Sequence, residues 1–292
     1  MEKLRIAVTG ASGNIGRFVV RELVARGHDV LAVDRRVYPD RSVRFLMADL
    51  RDRANVYAML SQVDCVAHLG ETPHVARGMT PEDVWADNTR GSGILFQMAG
   101  EMKLRRIVYA SSIQVYGFSF ASVPPARQHM PIQLPWDESQ PVAPTNAYGM
   151  GKVAVEQYAG MVGRTMELST AILRLPMTNG TGADDAFWKR FLTLPGRRDE
   201  FGVLLHSTDA ARAVALAMET PRPGAEIYNL CSDHVLLQQP LREHLRDHYA
   251  LAPALPDDWP DDRSPMLCEK FKSHFNWRAE FDVLAVKGMV GK

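Results

Sequence analysis

The stretch VTGASGNIGRF, residues 8–18, constrains the chain more than any other. It follows LRIAVTG (4–10), an apolar run that reads as a buried strand. It opens NIGRFVVRELVARGH (14–28), whose apolar residues at 15, 18, 19 and 23 recur with a helical period. A strand that turns into a helix through three glycines brings the helix back onto the sheet. Gly10 permits the tight turn, Gly13 lets a pyrophosphate approach the backbone, and Gly16 lets helix and strand close up. The helix start at Asn14, Ile15 and Gly16 then offers unpaired N–H groups and the positive end of the helix dipole to the phosphates. A glycine turn with no ligand is the competing reading. The flanking strand and helix are the context that a dinucleotide site requires.

The same alternation continues down the chain. DVLAVDR (29–35), VRFLMADL (43–50), VDCVAHLG (63–70), RRIVYASS (105–112) and LSTAILRLP (168–176) read as further strands. Helical patterns occupy 52–61, 82–102, 147–163 and 208–220. Strands that alternate with helices imply a parallel sheet covered on both faces. The expected fold is α/β: a Rossmann-type doubly wound parallel sheet with a small discontinuous C-terminal domain. The first unit takes residues 1–176 and 206–222, and the second, for substrate, takes 177–205 and 223–292. Residues 118–145, with VPPARQHMPIQLPWDESQPVAP, form a long proline-rich loop and a candidate lid or pocket wall.

Bulk properties narrow the function. Thirty-four basic residues balance 34 acidic ones, which argues against a nucleic-acid binder. No apolar run approaches the length of a membrane span, and the start lacks the apolar core of a signal peptide. Cys65, Cys231 and Cys268 are widely spaced with no CxxC, so neither a disulfide framework nor a metal site is expected, and a reducing cytoplasm fits.

Asp34, at the end of the second strand, can accept hydrogen bonds from both hydroxyls of an adenosine ribose and repels a 2′-phosphate, which favours NAD. Arg35 and Arg36 follow at once, so NADP is the alternative. Asp49, with Leu50 in the ADL that ends the third strand, can accept from an adenine amino group or cap the next helix. In NAYGMGKVAVEQYAG (146–160), Tyr148 and Lys152 stand one turn apart on one helix face.

With the glycine loop, ADL, AHLG, SSIQVYG (111–117) and YGMGK (148–152) in this order, the chain resembles the extended short-chain dehydrogenase/reductase family, the NAD-dependent epimerases and dehydratases. The resemblance covers about residues 4–230 and faintly 268–278. It implies a catalytic triad of Ser112, Tyr148 and Lys152, with Ser111 beside the cofactor. Leu69, Gly70, Asn88 and Pro176 are implied at the cofactor, where Tyr148 and Lys152 also belong. Hydride removal from a carbinol needs a base for the hydroxyl proton. A free tyrosine, with a pKa of about 10, is too weak a base until a neighbouring ammonium lowers it. Thr72, His74, Ile113, Gln114, Thr178 and Asn179, with Ser112, are expected to border the substrate. The dehydratases of this family carry an Asp-Glu pair after the catalytic hydroxyl, where this chain has Ile113 and Gln114, so dehydration is disfavoured. Net oxidoreduction of a small sugar, a sugar acid or another alcohol or ketone is the first expectation. A nucleotide-sugar epimerase is the second and a non-catalytic NAD(P) sensor the third. The resemblance also implies a homodimer through helices 82–102 and 147–163.

Overall fold

Strand β1 (Arg5–Thr9) hydrogen-bonds in parallel to β2 (Asp29–Asp34) on one side and to β4 (Cys65–His68) on the other. Strand β3 (Arg44–Met47) adds beyond β2, and β5 (Arg106–Ser112), β6 (Ser169–Leu175) and β9 (Ala225–Asn229) add beyond β4. The order is β3-β2-β1-β4-β5-β6-β9, all parallel, in a computed structural model that describes residues 2–73, 78–118, 130–180, 200–249 and 253–285. Chain direction across the sheet reverses between β1 and β4. A crevice opens there at the carboxyl ends of the strands.

Both faces of the sheet are covered. Ile6 and Val8 of β1 enter one core, and Ala7 between them enters the other. Helices α1 (Gly16–Ala25) and α5 (Ser207–Glu219) close the first face, where Val19, Val20 and Leu23 meet the alanine-rich side of α5. Helices α2 (Arg53–Leu60), α3 (Pro81–Glu101) and α4 (Ala147–Met166) close the second with Val56, Leu95, Phe96, Val155 and Val162. Truncating one such fully buried side chain, Leu23→Ala for example, costs roughly 2–5 kcal/mol. Caps set where the helices begin. Asp52 accepts from the Ala54 N–H, and Thr80 and Asp83 form a capping box ahead of Pro81. Asn146 accepts from the Gly149 N–H at 2.7 Å.

Two sequence expectations change here. Strand β9 falls within 223–292, the stretch assigned to a second unit, yet it is the seventh strand of the large sheet. The AEIYN run is short and lacks the apolar density of the other strands, so its pairing with β6 was not legible. Residues 130–145 are fastened down rather than lid-like. Trp136 is buried, its N–H donates to the Pro265 carbonyl, and its own carbonyl accepts from Leu267. None of them lines the cleft described below; residues 119–129 of that loop lie outside the described residues. A two-stranded parallel pair, β7 (Met177–Asn179) and β8 (Leu204–His206), stands apart from the large sheet. Helices α6 (Leu241–His248) and α7 (Glu269–Phe275) follow, and α7 packs Phe271 and Phe275 beside β9. Asp209 of α5 accepts from the N–H groups of Glu280 and Phe281, which ties that stretch to the helix.

Candidate active site

A cleft of about 900 Å³ opens at the carboxyl ends of β1, β2, β4, β5 and β6. Steric demand explains the glycines at its floor. Gly10 has φ +68°, and a Cβ there would stand 2.7 Å from the Leu69 carbonyl oxygen. A Cβ on Gly16 would meet the Gly10 carbonyl oxygen at 2.1 Å, so only glycine lets α1 begin this close to the loop. Helix α1 has no side-chain cap and no acid in its first turn, which leaves its positive end facing the cleft. Gly13, Asn14 and Ile15 line the same floor.

Asp34 is oriented by its neighbours. One carboxylate oxygen accepts from the Ser12 N–H at 3.0 Å and the other from the Arg36 N–H at 2.9 Å. Arg35 is half exposed and leans toward Thr72 and Asp87. Asp49 does not cap α2, because Asp52 does. The Arg51 guanidinium grips Asp49 at 3.0 and 3.1 Å through Nε and holds its carboxyl down at about 2. Arg51 also reaches Asp87 at 2.8 Å, so an arginine bridge that the sequence reading missed forms the rim beside Leu50. Asn88 clamps the backbone of Thr72 from both sides, donating to its carbonyl at 2.9 Å and accepting from its N–H at 2.8 Å.

Tyr148, Lys152 and Glu156 stand at successive turns of α4. A Cβ on Gly149 would lie 2.6 Å from the Gln114 carbonyl oxygen. The YG dipeptide thus brings α4 against the 3-10 turn Ile113–Tyr116 that follows Ser112. The Tyr148 phenol shares the cleft wall with Ser112 and Lys152, and the Lys152 ammonium stands 5.4 Å from the centre of its ring. Burial pushes that phenol up; Lys152 opposes the rise and a carboxylate at Glu71 adds to it. The Lys152 ammonium donates to the Ala110 carbonyl at 2.5 Å and stands 2.8 Å from Glu71 Oε2. Burial pulls the ammonium down, but Glu71 outweighs it and leaves Lys152 raised. Glu71 mirrors this: burial pushes it up, and Lys152 outweighs that and leaves it lowered.

Ser111 also lines the cleft, but its hydroxyl donates to Glu156 Oε1 at 2.6 Å. Glu156 is held by a two-pronged Arg174, Nε at 3.0 Å and Nη2 at 2.7 Å, and Arg174 also reaches the Tyr116 hydroxyl. Leu69, Gly70, Thr72, Gln114, Pro176 and Thr178 line the cleft. Ile113 and Asn179 do not. Ile113 turns into the apolar core because the 3-10 turn aims it there, and Asn179 spends its side-chain amide oxygen Oδ1 on the Gly180 N–H. His74 lies outside the described residues. Glu71, Glu156 and Arg174 were missed by the sequence reading. Glu156 stood in plain view, four residues past Lys152; Glu71 follows the glycine of AHLG directly. Among the described residues no cluster suits a metal ion, and no helix is long and apolar enough to cross a membrane.

Comparison with known proteins adds to this geometry. The sequence pattern of the NAD dependent epimerase/dehydratase family matches residues 6–231. A UDP-glucose 4-epimerase of Lacticaseibacillus casei is 31% identical over 162 residues, 53% of this chain and 45% of that protein. The chain spans about half the length of the first several curated relatives it matches. A dTDP-glucose 4,6-dehydratase of Streptomyces niveus is 26% identical over 83% of this chain and 76% of its own length. Among solved structures, UDP-glucose 4-epimerase from Bifidobacterium longum in complex with NAD+ and UDP superposes with a TM-score of 0.71 and 20% identity. That match covers 97% of this chain and 96% of the other, a likeness of fold.

Proposed function

The chain belongs to the NAD dependent epimerase/dehydratase family, and from that premise we propose that it is an NAD-dependent enzyme. Hydride moves at a carbinol or ketone carbon of a sugar or sugar-acid-like substrate, with Tyr148 as general base. The observation that carries this reading is Tyr148, with Ser112 and Lys152 beside it, in the wall of the same cleft as the glycine loop and Asp34. The loop accommodates a pyrophosphate because no Cβ fills it, and Asp34 presents a carboxylate to the adenosine ribose. Bound NAD supplies the hydride acceptor. The chain's residues do the rest: Ser112 polarises the substrate oxygen, Tyr148 takes its proton, and Lys152 steadies the phenolate charge. The stretches 177–205 and 223–292, less strand β9, are the substrate side of this reading, with Thr178 at the cleft wall. Trp85 of α3 and Met150 of α4, 44% and 49% exposed, leave apolar surface on the outer face of that helix pair, which supports a homodimer there; sedimentation as a monomer at micromolar concentration removes it.

A thermal-shift panel with NAD, NADP, uronates and nucleotide-sugars tests the reading, since stabilisation follows occupancy. NAD is expected to give a larger shift than NADP, and the strongest second shift names the substrate class. Tyr148→Phe is expected to lower turnover by roughly 10²–10⁴-fold while NAD still binds. Retained turnover overturns Tyr148 as base. A nucleotide-sugar epimerase with transient oxidation is the second reading, favoured by the UDP-glucose 4-epimerases among the relatives. Cofactor that survives purification, with no net NADH during turnover, selects it. The residues disfavour a dehydratase, because no carboxylate follows Ser112 and the Gln114 amide oxygen accepts from Asn146.

A further inference from the structure

The cleft holds a charge that the tyrosine-base reading does not use. Glu71 follows Gly70 in the loop after β4, and its side chain is 4% exposed. Its Oε1 accepts from the Ser92 hydroxyl at 2.6 Å and the Tyr109 hydroxyl at 2.9 Å, and its Oε2 stands 2.8 Å from Lys152 Nζ. Behind it lies a directed chain of hydrogen bonds. The Thr9 hydroxyl oxygen already accepts from the N–H groups of Leu69 and Gly70, so its hydrogen goes to His68 Nδ1 at 2.8 Å. His68 therefore carries its proton on Nε2 and donates to Ser92 Oγ at 2.9 Å, while the Ser92 hydrogen goes to Glu71. The chain begins on the residue before Gly10 and ends on the lysine beside the candidate base. An ammonium has three N–H groups. The Ala110 carbonyl accepts one of them at 2.5 Å, and Glu71 Oε2 is the anion paired with the charge at 2.8 Å.

We propose that Glu71 is a positioning residue for Tyr148 and Lys152: its carboxylate fixes the ammonium and cancels its charge, so that the pair keeps both protons until a cationic ring enters the cleft. This rests on the tyrosine-base reading above. The charged and titratable groups facing the pair are Glu71 and His68 from the β4 side, Tyr109 from β5 and Glu156 from α4. Glu156 is neutralised by Arg174, and His68 is neutral. With Glu71 present, Tyr148, Lys152 and Glu71 sum to zero, and loss of a proton leaves a net negative charge in a buried place. Without it the pair starts with a net positive charge, and the same loss makes it neutral. The first proton then leaves at lower pH, whichever of the two groups gives it up.

Glu71→Gln, Lys152→Met and the double variant, melted without cofactor, test the pairing. Glu71→Gln strands a buried ammonium and is expected to melt about 5–10 °C lower, and the double variant to recover most of that loss. Losses that simply add overturn the pairing. Calorimetry of NAD binding at about pH 9, in two buffers of different ionisation enthalpy, counts the protons released. The wild type is expected to release a proton and Glu71→Gln a clearly smaller fraction, and equal release overturns the charge-cancelling role. If Glu71→Gln fails to fold, the folded double variant read against Lys152→Met alone decides the pairing. A wild type that takes up no NAD refutes the proposed function instead, and the melting cycle still tests Glu71.

Discussion

Glu71 and Glu156 are two buried carboxylates, each paired with a cation, and α4 supplies one member of each pair. Glu156 meets Arg174 through both prongs of a planar guanidinium and also receives the Ser111 hydroxyl, so its geometry is fully specified. Glu71 meets the single-point ammonium of Lys152, which also donates to the Ala110 carbonyl and stands 5.4 Å from the Tyr148 ring centre. The first pair stands behind Ser111 as a brace. The second contains groups that can exchange protons and touches the candidate base. Burial alone therefore does not separate a structural ion pair from a chemical one. The identity of the cation and its contact with the cleft do.

The contrast breaks most visibly under Glu156→Gln, which leaves the Arg174 charge unpaired. It is expected to cost about 3–5 kcal/mol in denaturant unfolding. It should change the protons released on NAD binding by less than Glu71→Gln does, and an equal or larger change would erase the distinction drawn above. Next in size is a pH effect confined to the Glu71 side. Burial pulls His68 down to about 4, against the pull of Glu71. A group lowered in the folded state contributes stability that is complete above its unfolded value, near 6.5, and lost as pH falls toward the folded value. The loss amounts to about 3 kcal/mol. His68→Asn is expected to flatten stability against pH over that window, and an unchanged slope would remove His68 as its source. Glu71, also lowered, adds loss at still lower pH, and Lys152, raised above its usual 10.5, adds loss only at the alkaline extreme.

Smaller effects test whether α4 presents both pairs in one register. Gly149→Ala forces a Cβ to 2.6 Å from the Gln114 carbonyl oxygen and is expected to destabilise by roughly 1–3 kcal/mol. At Gly151 the nearest side-chain atom to a Cβ is Trp85 Cδ1 at 3.8 Å, so Gly151→Ala should stabilise by about 0.4–1 kcal/mol. Equal melting points for the two variants would contradict the close seat of α4 on the Ser112 turn.

Much of the fold was readable because its signals are local. The apolar runs at 4–10, 29–35 and 105–112, and the helix periods at 82–102 and 147–163, fall within a few residues of the observed elements. The short β9 was not readable: it has little apolar density, and its place is fixed by hydrogen bonds to β6, more than 50 residues earlier in the chain. Among site residues, those tied to a motif reach the cleft: the glycine loop, Asp34, Ser112, Tyr148 and Lys152. Those assigned by position along a loop divide, with Gln114 and Thr178 at the wall and Ile113 in the core, because one residue's step round a 3-10 turn reverses which way a side chain faces.

The sequence by itself determined the alternation of strands and helices, the glycine turn and the tyrosine-lysine spacing, since each is a property of neighbouring residues and backbone sterics. Only the tertiary structure decided which charges meet. Glu71 finds Lys152 across 81 positions and Glu156 finds Arg174 from a helix to a strand, and the strength of each pairing depends on how far folding removes both partners from water.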